Sequence, residues 1–340
     1  MKQIKTVDAV GQVLCHDITQ IIPGKQKGPV FKKGHVVTQE DIPVLLSVGK
    51  DHLYIWEMDE NMMHENDAAD VLYSICKNAN MSGTPVAEGK IELIAEMDGL
   101  FKVDIARLNQ INALGEIIIA TRHSNFAVKK GDKLAATRII PLVIEKEKME
   151  KAKEIAGNKP LLSLLPFGHR KAGIVTTGNE VFYGRIKDAF GPVIRKKLTE
   201  FDVEVLGQTI INDEKDKITN IIKDYIEQGA DFIICTGGMS VDPDDTTPSA
   251  IKDTGAKLVS YGAPVLPGAM FLLAYYGEKN IPIIGLPGCV MYAKRTIFDL
   301  ALPRIMAGEI LTAEDLSVLG HGGLCLNCEE CTFPKCGFGK

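Results

Sequence analysis

Between Thr236 and Pro248 the chain runs through two glycines, a serine and then three carboxylates, Asp242, Asp244 and Asp245, within four residues. Glycines directly after an apolar stretch free the backbone to wrap an anionic group, and Ser240 adds a donor. The acids stand just before a helix start at Thr247-Pro248, where capping and the helix dipole would use one or two of them. All three together repel unless a cation or a polar ligand offsets the charge. Mg²⁺ shared with a phosphate is the natural partner, because that ion prefers one or two carboxylates plus substrate oxygens. A second concentration of chemistry closes the sequence. Four of the eight cysteines, Cys325, Cys328, Cys331 and Cys336, follow one another as C-x2-C-x2-C-x4-C. Four free thiols in one short tail would be an oxidation hazard, and a large unsecreted chain does not use them as a disulfide framework, so the pattern points to a metal. The x2 spacing of three cysteines leans toward iron–sulfur ligation, and zinc stays open.

Three weaker signals share the same rhythm. Thr176-Thr177-Gly178-Asn179-Glu180 follows a buried strand and offers donors and close backbone approach, with turn chemistry the simpler account. Asn212-Asp213-Glu214 is sufficiently explained as a helix cap. The Pro267-Gly268 and Pro287-Gly288 steps are rigid turns first and walls for a flat ligand second.

The elements that must position these residues begin at Lys171. Strands are expected at 172–177, 203–211, 230–236, 271–276 and 281–286. Helices are expected at 192–201, 214–228, 247–255 and 289–306. Strand–helix alternation at this rhythm gives an α/β fold, a mostly parallel sheet with helices on both faces. The carboxyl ends of its strands face one crevice, which would gather all of the segments above. Residues 1–165 read as an α+β region: a helix capped by Thr38 and ended by Gly49, a hairpin turned at Asp98-Gly99, and a solvated helix from Glu145 to Gly157. The expected domains are 1–165, 166–310 and a Cys-rich metal-binding tail at 311–340, joined through a flexible Gly320–Gly323 hinge.

Thirty-nine basic against 44 acidic residues leave a net charge of −5. That balance argues against a nucleic-acid or anionic-membrane surface as the main partner. A charged start and the lack of a long apolar run place the protein, as an expectation, in the cytoplasm.

Thr-Thr-Gly-Asn-Glu, Thr-Gly-Gly-Met-Ser-Val-x-x-Asp-Asp, Pro-Gly-Ala-Met and Gly-Leu-Pro-Gly, in this order and spacing, resemble the molybdopterin-binding domain of molybdenum-cofactor biosynthesis proteins. That superfamily includes molybdopterin molybdenumtransferase, the nearest in motifs, molybdopterin adenylyltransferase and parts of gephyrin. The resemblance covers about residues 171–308. It implies that Asp245 and Asp213 help hold Mg²⁺, and that Glu180 joins them in the catalytic set. It further implies that Thr176, Thr177, Gly178, Gly237, Gly238, Ser240, Asp242, Asp244, Pro267, Gly268, Pro287 and Gly288 cradle the pterin and its terminal phosphate. The implied partners are molybdopterin, an ATP or AMP moiety, molybdate, a recipient molybdoenzyme and further copies of the chain. Several positions depart from the transferase pattern: Cys289-Val290 replaces Asn-Pro, Asp242 replaces a glycine, and the cysteine tail stands where a small β-domain is expected. Two functions follow. One is a molybdenumtransferase-like enzyme acting on molybdopterin or its adenylate with Mg²⁺, favoured by the preserved acids. The other is a non-catalytic molybdopterin carrier or sensor with a redox-active or structural metal tail, favoured by the departures. An α/β domain that hydrolyses nucleotide pyrophosphates is a third reading.

Overall fold

The computed structural model describes residues 2–22, 26–55, 60–240 and 245–340. Two compact units emerge, Met1–Glu96 with Val103–Arg122 and Gly131–Ser163, and Met97–Lys102 with His123–Lys130 and Leu164–Lys340.

The first unit is α+β. Its largest sheet is antiparallel, in the order Met81–Gly83, Ile91–Ala95, Lys133–Ile139, Ile117–Thr121. The helix Glu65–Cys76 buries Ala68, Ala69, Leu72 and Cys76, an i, i+4, i+8 stripe with its neighbour. The helix expected from Thr38 runs over Asp41–Ser47, but Thr38 is not its N-cap: that position is Glu40, and the backbone N–H and hydroxyl of Thr38 both donate to Asp41 Oδ2, at 2.8 and 2.9 Å. The solvated helix is found at Lys146–Ala156. The hairpin at Asp98-Gly99 is not formed. Ile91–Ala95 stays in the four-stranded sheet, whereas Gly99–Val103 lies in a separate three-stranded one between Phe126–Val128 and Leu162–Leu165. Distant groups claim the turn residues: Asp98 accepts from Lys130 N and Lys129 Nζ, each at 2.8 Å, and a Cβ on Gly99 would lie 2.4 Å from Leu165 O.

The second unit is built on six strands: β1 (Lys171–Thr177), β2 (Glu204–Ile211), β3 (Phe232–Thr236), β4 (Lys257–Tyr261), β5 (Leu272–Tyr276) and β6 (Ile281–Leu286). Their order is β2-β1-β3-β6-β5-β4. The first four are parallel, and only β5 is reversed, pairing antiparallel with β6 on one side and with β4 on the other. The helices are α1 (Asn179–Phe182), α2 (Phe190–Thr199), α3 (Lys215–Glu227), α4 (Thr247–Asp253), α5 (Ile297–Met306) and α6 (Ala313–Ser317). β1 and β3 are apolar on both faces, as strands covered twice must be. Ile174 and Ile234 enter one core with Ile194 and Leu198 of α2 and Phe298 of α5. Val175 and Ile233 enter the other, with Ile218 and Ile222 of α3 and Ile251 of α4. A Cβ on Gly173 would fall 2.5 Å from the Tyr225 ring, so the glycine is what lets α3 press onto β1.

Three expectations are corrected here. The strand β4 has no alternation to announce it, because both of its faces are largely exposed. The final helix is shorter than 289–306: a 3₁₀ turn occupies Gly288–Met291, and α5 starts only after Thr296, whose hydroxyl accepts from Phe298 N while Asp299 caps back to Thr296 N at 2.7 Å. Gly320–Gly323 is a packed joint, not a hinge. A Cβ on Gly322 would meet Lys340 O at 2.0 Å, and one on Gly323 would meet Leu319 O at 2.4 Å.

Candidate functional site

Parallel register brings Thr177, Ile211, Thr236 and Leu286 to one edge of the sheet. The antiparallel pairs Leu272↔Gly285 and Tyr261↔Leu272 bring the start of β5 and the end of β4 to the same edge. The segments 176–180, 211–214, 236–240, 245–248, 267–268 and 287–288 therefore converge there. Asp242 and Asp244 lie outside the described residues.

The floor of this edge is a set of buried hydroxyls. Thr176, Thr177, Thr236 and Thr247 have almost no exposure, so each must find a partner. Thr177 Oγ1 pairs with Thr247 Oγ1 at 2.9 Å, Thr236 donates to Thr176 Oγ1 at 3.2 Å, and Gln208 Nε2 donates to the same oxygen at 3.0 Å. Thr176 and Thr177 thus support the loops from beneath and do not face solvent. The glycine pair sits directly above. Gly237 has φ +82° and its Cβ would lie 2.0 Å from Thr177 O; Gly238, at φ +54°, would place a Cβ 2.8 Å from Thr247 Oγ1. Only glycine fits at either position. Gly178 is buried, and its missing Cβ would lie 3.0 Å from Glu180 Oε1, which puts the otherwise exposed Glu180 carboxylate against the end of β1.

The acids differ in how they are held. Asp213 Oδ2 accepts from Asn179 N at 3.0 Å, so its carboxylate ties β2 to the loop after β1. Thr246 Oγ1 donates to Asp213 O at 3.0 Å, which brings the acidic loop alongside. Asp245 Oδ2 is buried and has no hydrogen-bond partner among the described residues, and Asn212 Oδ1 is in the same condition. A buried carboxylate oxygen without a donor is costly unless a cation or ligand donor meets it. The negative charge is felt nearby: burial, and then Asp245, push the Tyr261 phenol above its ordinary value.

Ser240 is exposed at the loop, and the Tyr261 hydroxyl donates to Met239 O and Ser240 O at 2.9 and 3.1 Å, pinning that loop to β4. Gly268 is buried at φ +125°, with its Cβ position 2.6 Å from Ile297 Cγ2, while Gly288 is exposed, its Cβ position 3.9 Å from Met291 Cε. Tyr261 and Gln208 are the residues of this edge that sequence reasoning passes over. The first lies on the unannounced strand β4. The second is a polar residue within β2 whose role is visible only once β1 and β2 are paired.

The tail cysteines are all free; Cys328 and Cys331 are exposed, Cys325 and Cys336 half-buried. Among the described residues no three His, Cys, Asp or Glu side chains gather closely enough to hold one metal ion. No helix among the described residues is long and apolar enough to cross a membrane.

The CinA-like protein of Mycobacterium avium (strain 104) is 40% identical over 90 residues, 26% of this chain and 21% of its own length. The chain therefore spans only about a fifth of that relative. Among solved structures, the molybdopterin biosynthesis enzyme MoaB of Thermus thermophilus is 22% identical, covering 41% of this chain and 98% of its own, with a TM-score of 0.35. CinA of Thermoplasma acidophilum, a protein of unknown function, is 21% identical over 35% of this chain and 89% of its own, with a TM-score of 0.30. Residues 3–57 match a domain of unknown function, DUF8806. Residues 173–307, which carry every segment of the edge, match the family described as "Probable molybdopterin binding domain".

Proposed function

We propose that the second unit binds molybdopterin, or its adenylate, at the carboxyl edge of the sheet and acts as a molybdenumtransferase-like protein of molybdenum-cofactor biosynthesis. The observation that carries the reading is Asp245 Oδ2, buried beside the glycine loop with no donor among the described residues. Asp245, with Asp213 next to it through Thr246, would hold Mg²⁺, and a bound Mg²⁺ supplies charge neutralisation for phosphate oxygens. Gly237 and Gly238 let the backbone close on the phosphate, since neither carries a side chain that would keep it away. The buried threonines hold that loop in place before any ligand arrives, so little ordering cost remains to be met on binding. The Pro267-Gly268 and Pro287-Gly288 turns wall the flat ring, and Glu180 stands at the end of β1, where it can accept a proton. Elsewhere in the unit Cys325, Cys328, Cys331 and Cys336 supply thiolates for an iron–sulfur cluster or zinc.

The carrier reading has one observation of its own: the Asp213 carboxylate already accepts the Asn179 N–H, which leaves less of it for chemistry. One experiment separates the two. The full chain is supplied with adenylylated molybdopterin, Mg²⁺ and molybdate, and AMP release is followed. Turnover that disappears in Asp245→Ala while pterin binding persists supports the enzyme. Tight binding with no AMP release from the unmutated chain supports the carrier, and absence of binding overturns both.

A further inference from the structure

All four tail cysteines, Cys325, Cys328, Cys331 and Cys336, line one cavity of about 600 Å³. Lys294, Arg295 and Pro267 form part of the wall. The thiols do not hold the tail in place; apolar anchors do. Phe338 is buried in the main core, and Cys325 N donates to Leu266 O at 2.8 Å. Gly339 N donates to Gly322 O at 2.9 Å, closing the tail back onto its own first residues. The Phe333 ring lies 5.8 Å from Phe126 and 6.1 Å from Phe338, with the Arg295 guanidinium 5.0 Å over its face. The tail is thus a formed loop around a space, with four unpaired thiols on its walls.

Tetrahedral zinc with bonds of about 2.3 Å needs its sulfurs about 3.8 Å apart, gathered on one point. A cubane cluster takes one thiolate at each iron, so its ligands stand around a volume, and the four thiols here stand around one cavity. The charge is answered in part. A cluster bound by four thiolates is anionic, and the cavity wall carries two cations, Lys294 and Arg295, against one acid, Glu329; Arg295 also pairs with Asp299 and Glu200, and Lys294 Nζ donates to Cys328 O at 3.4 Å.

We propose that Cys325, Cys328, Cys331 and Cys336 ligate a four-iron, four-sulfide cluster seated in this cavity. This rests on the reading that the tail binds metal at all, and the test keeps the two apart. The full chain is isolated without oxygen, iron, acid-labile sulfide and zinc are measured, and the visible charge-transfer absorption is recorded. About four irons and four sulfides per chain are expected. Both fall by more than half in Cys328→Ala and in Cys331→Ala, while Cys289→Ala, outside the cavity, keeps them. One zinc per chain with no sulfide overturns the cluster and leaves metal binding standing. Neither metal, with the chain folded by circular dichroism, overturns both. Full iron content in the Cys328→Ala, Cys331→Ala double variant places the cluster elsewhere and overturns the assignment.

Discussion

The carboxyl edge of the sheet and the cysteine cavity belong to one unit, and both concentrate chemistry, yet they are built by opposite means. At the edge the reactive-looking hydroxyls are spent on one another: Thr176, Thr177, Thr236 and Thr247 are buried and paired. The loop above them is fixed by backbone contact, with no room for a Cβ at Gly237. In the tail the reverse holds. Phe333 and Phe338 do the anchoring, with a backbone bridge from Leu324 to Leu266, and the thiols are left unspent around a space. The edge is therefore preorganised by the fold, and under the proposed function its ligand would meet a formed cradle. Under the proposal of a cluster, the tail is a frame whose final geometry the bound metal would supply.

Substitution without ligand breaks this comparison most directly. Gly237→Ala forces an L-residue into φ +82° and drives its Cβ to 2.0 Å from Thr177 O. A loss on the order of 3 kcal/mol or more is expected, read from the urea midpoint. Cys328→Ser in metal-free protein should change stability by only about 0.5 kcal/mol or less, since an exposed thiol supports nothing. Equal losses in the two variants would erase the distinction.

Much of the edge was legible in the sequence because its constraints are local. Two glycines after an apolar run, a strand–helix rhythm and crowded carboxylates each have a spacing that can be read along the chain. What was not legible depended on partners far away in sequence. Asp98-Gly99 has the letters of a hairpin, but Lys129, Lys130 and Leu165 decide its fate from some thirty and more than sixty residues away. β4 is exposed on both faces, so burial leaves no period in it, and Tyr261 went unnoticed with it. The four glycine-rich residues before the tail suggest freedom by composition, whereas Gly322 and Gly323 are there because other backbone atoms occupy the space of a side chain.

Two ion pairs sharpen the comparison on the tail's side. Lys197 Nζ is buried and donates to both oxygens of Asp299, at 2.6 and 2.8 Å, and to Lys294 O at 3.2 Å. Lys197→Ala leaves a buried carboxylate short of its nearest cation, and a cost of about 3 kcal/mol is expected in urea unfolding. Because Lys294 and Arg295 line the cysteine cavity, iron retention should fall in the same variant. The smaller effect belongs to Asp315. Burial works to raise its carboxyl, but the bonds from Arg304 and Thr312 outweigh that and hold it down at about 2. A depressed acid stabilises the fold above its unfolded value and loses that contribution as pH falls toward 2. Asp315→Asn should therefore cost roughly 2 kcal/mol at neutral pH. The difference from the parent should shrink between about pH 4 and pH 2. A cost that stays constant with pH would mean that the charge is not what Arg304 holds.

The smallest effect tests the preorganised edge itself. Burial first, and then the Asp245 charge, raise the Tyr261 phenol, whose hydroxyl donates to Met239 O and Ser240 O at the loop. A nearby anion disfavours the phenolate, so Asp245→Asn should lower the Tyr261 pKa toward its ordinary value while burial keeps it somewhat above. A cation captured at Asp245 neutralises the same charge, so Mg²⁺ should lower the Tyr261 pKa in the unmutated chain and leave it unmoved in Asp245→Asn. Phenolate absorbance, corrected with Tyr261→Phe, reads both. A Tyr261 titration indifferent to Mg²⁺ in the unmutated chain, at concentrations that saturate phosphate-bound ligand, would remove the cation from the edge. Asp245 Oδ2 would then be an orphan that only a donor on the ligand could satisfy.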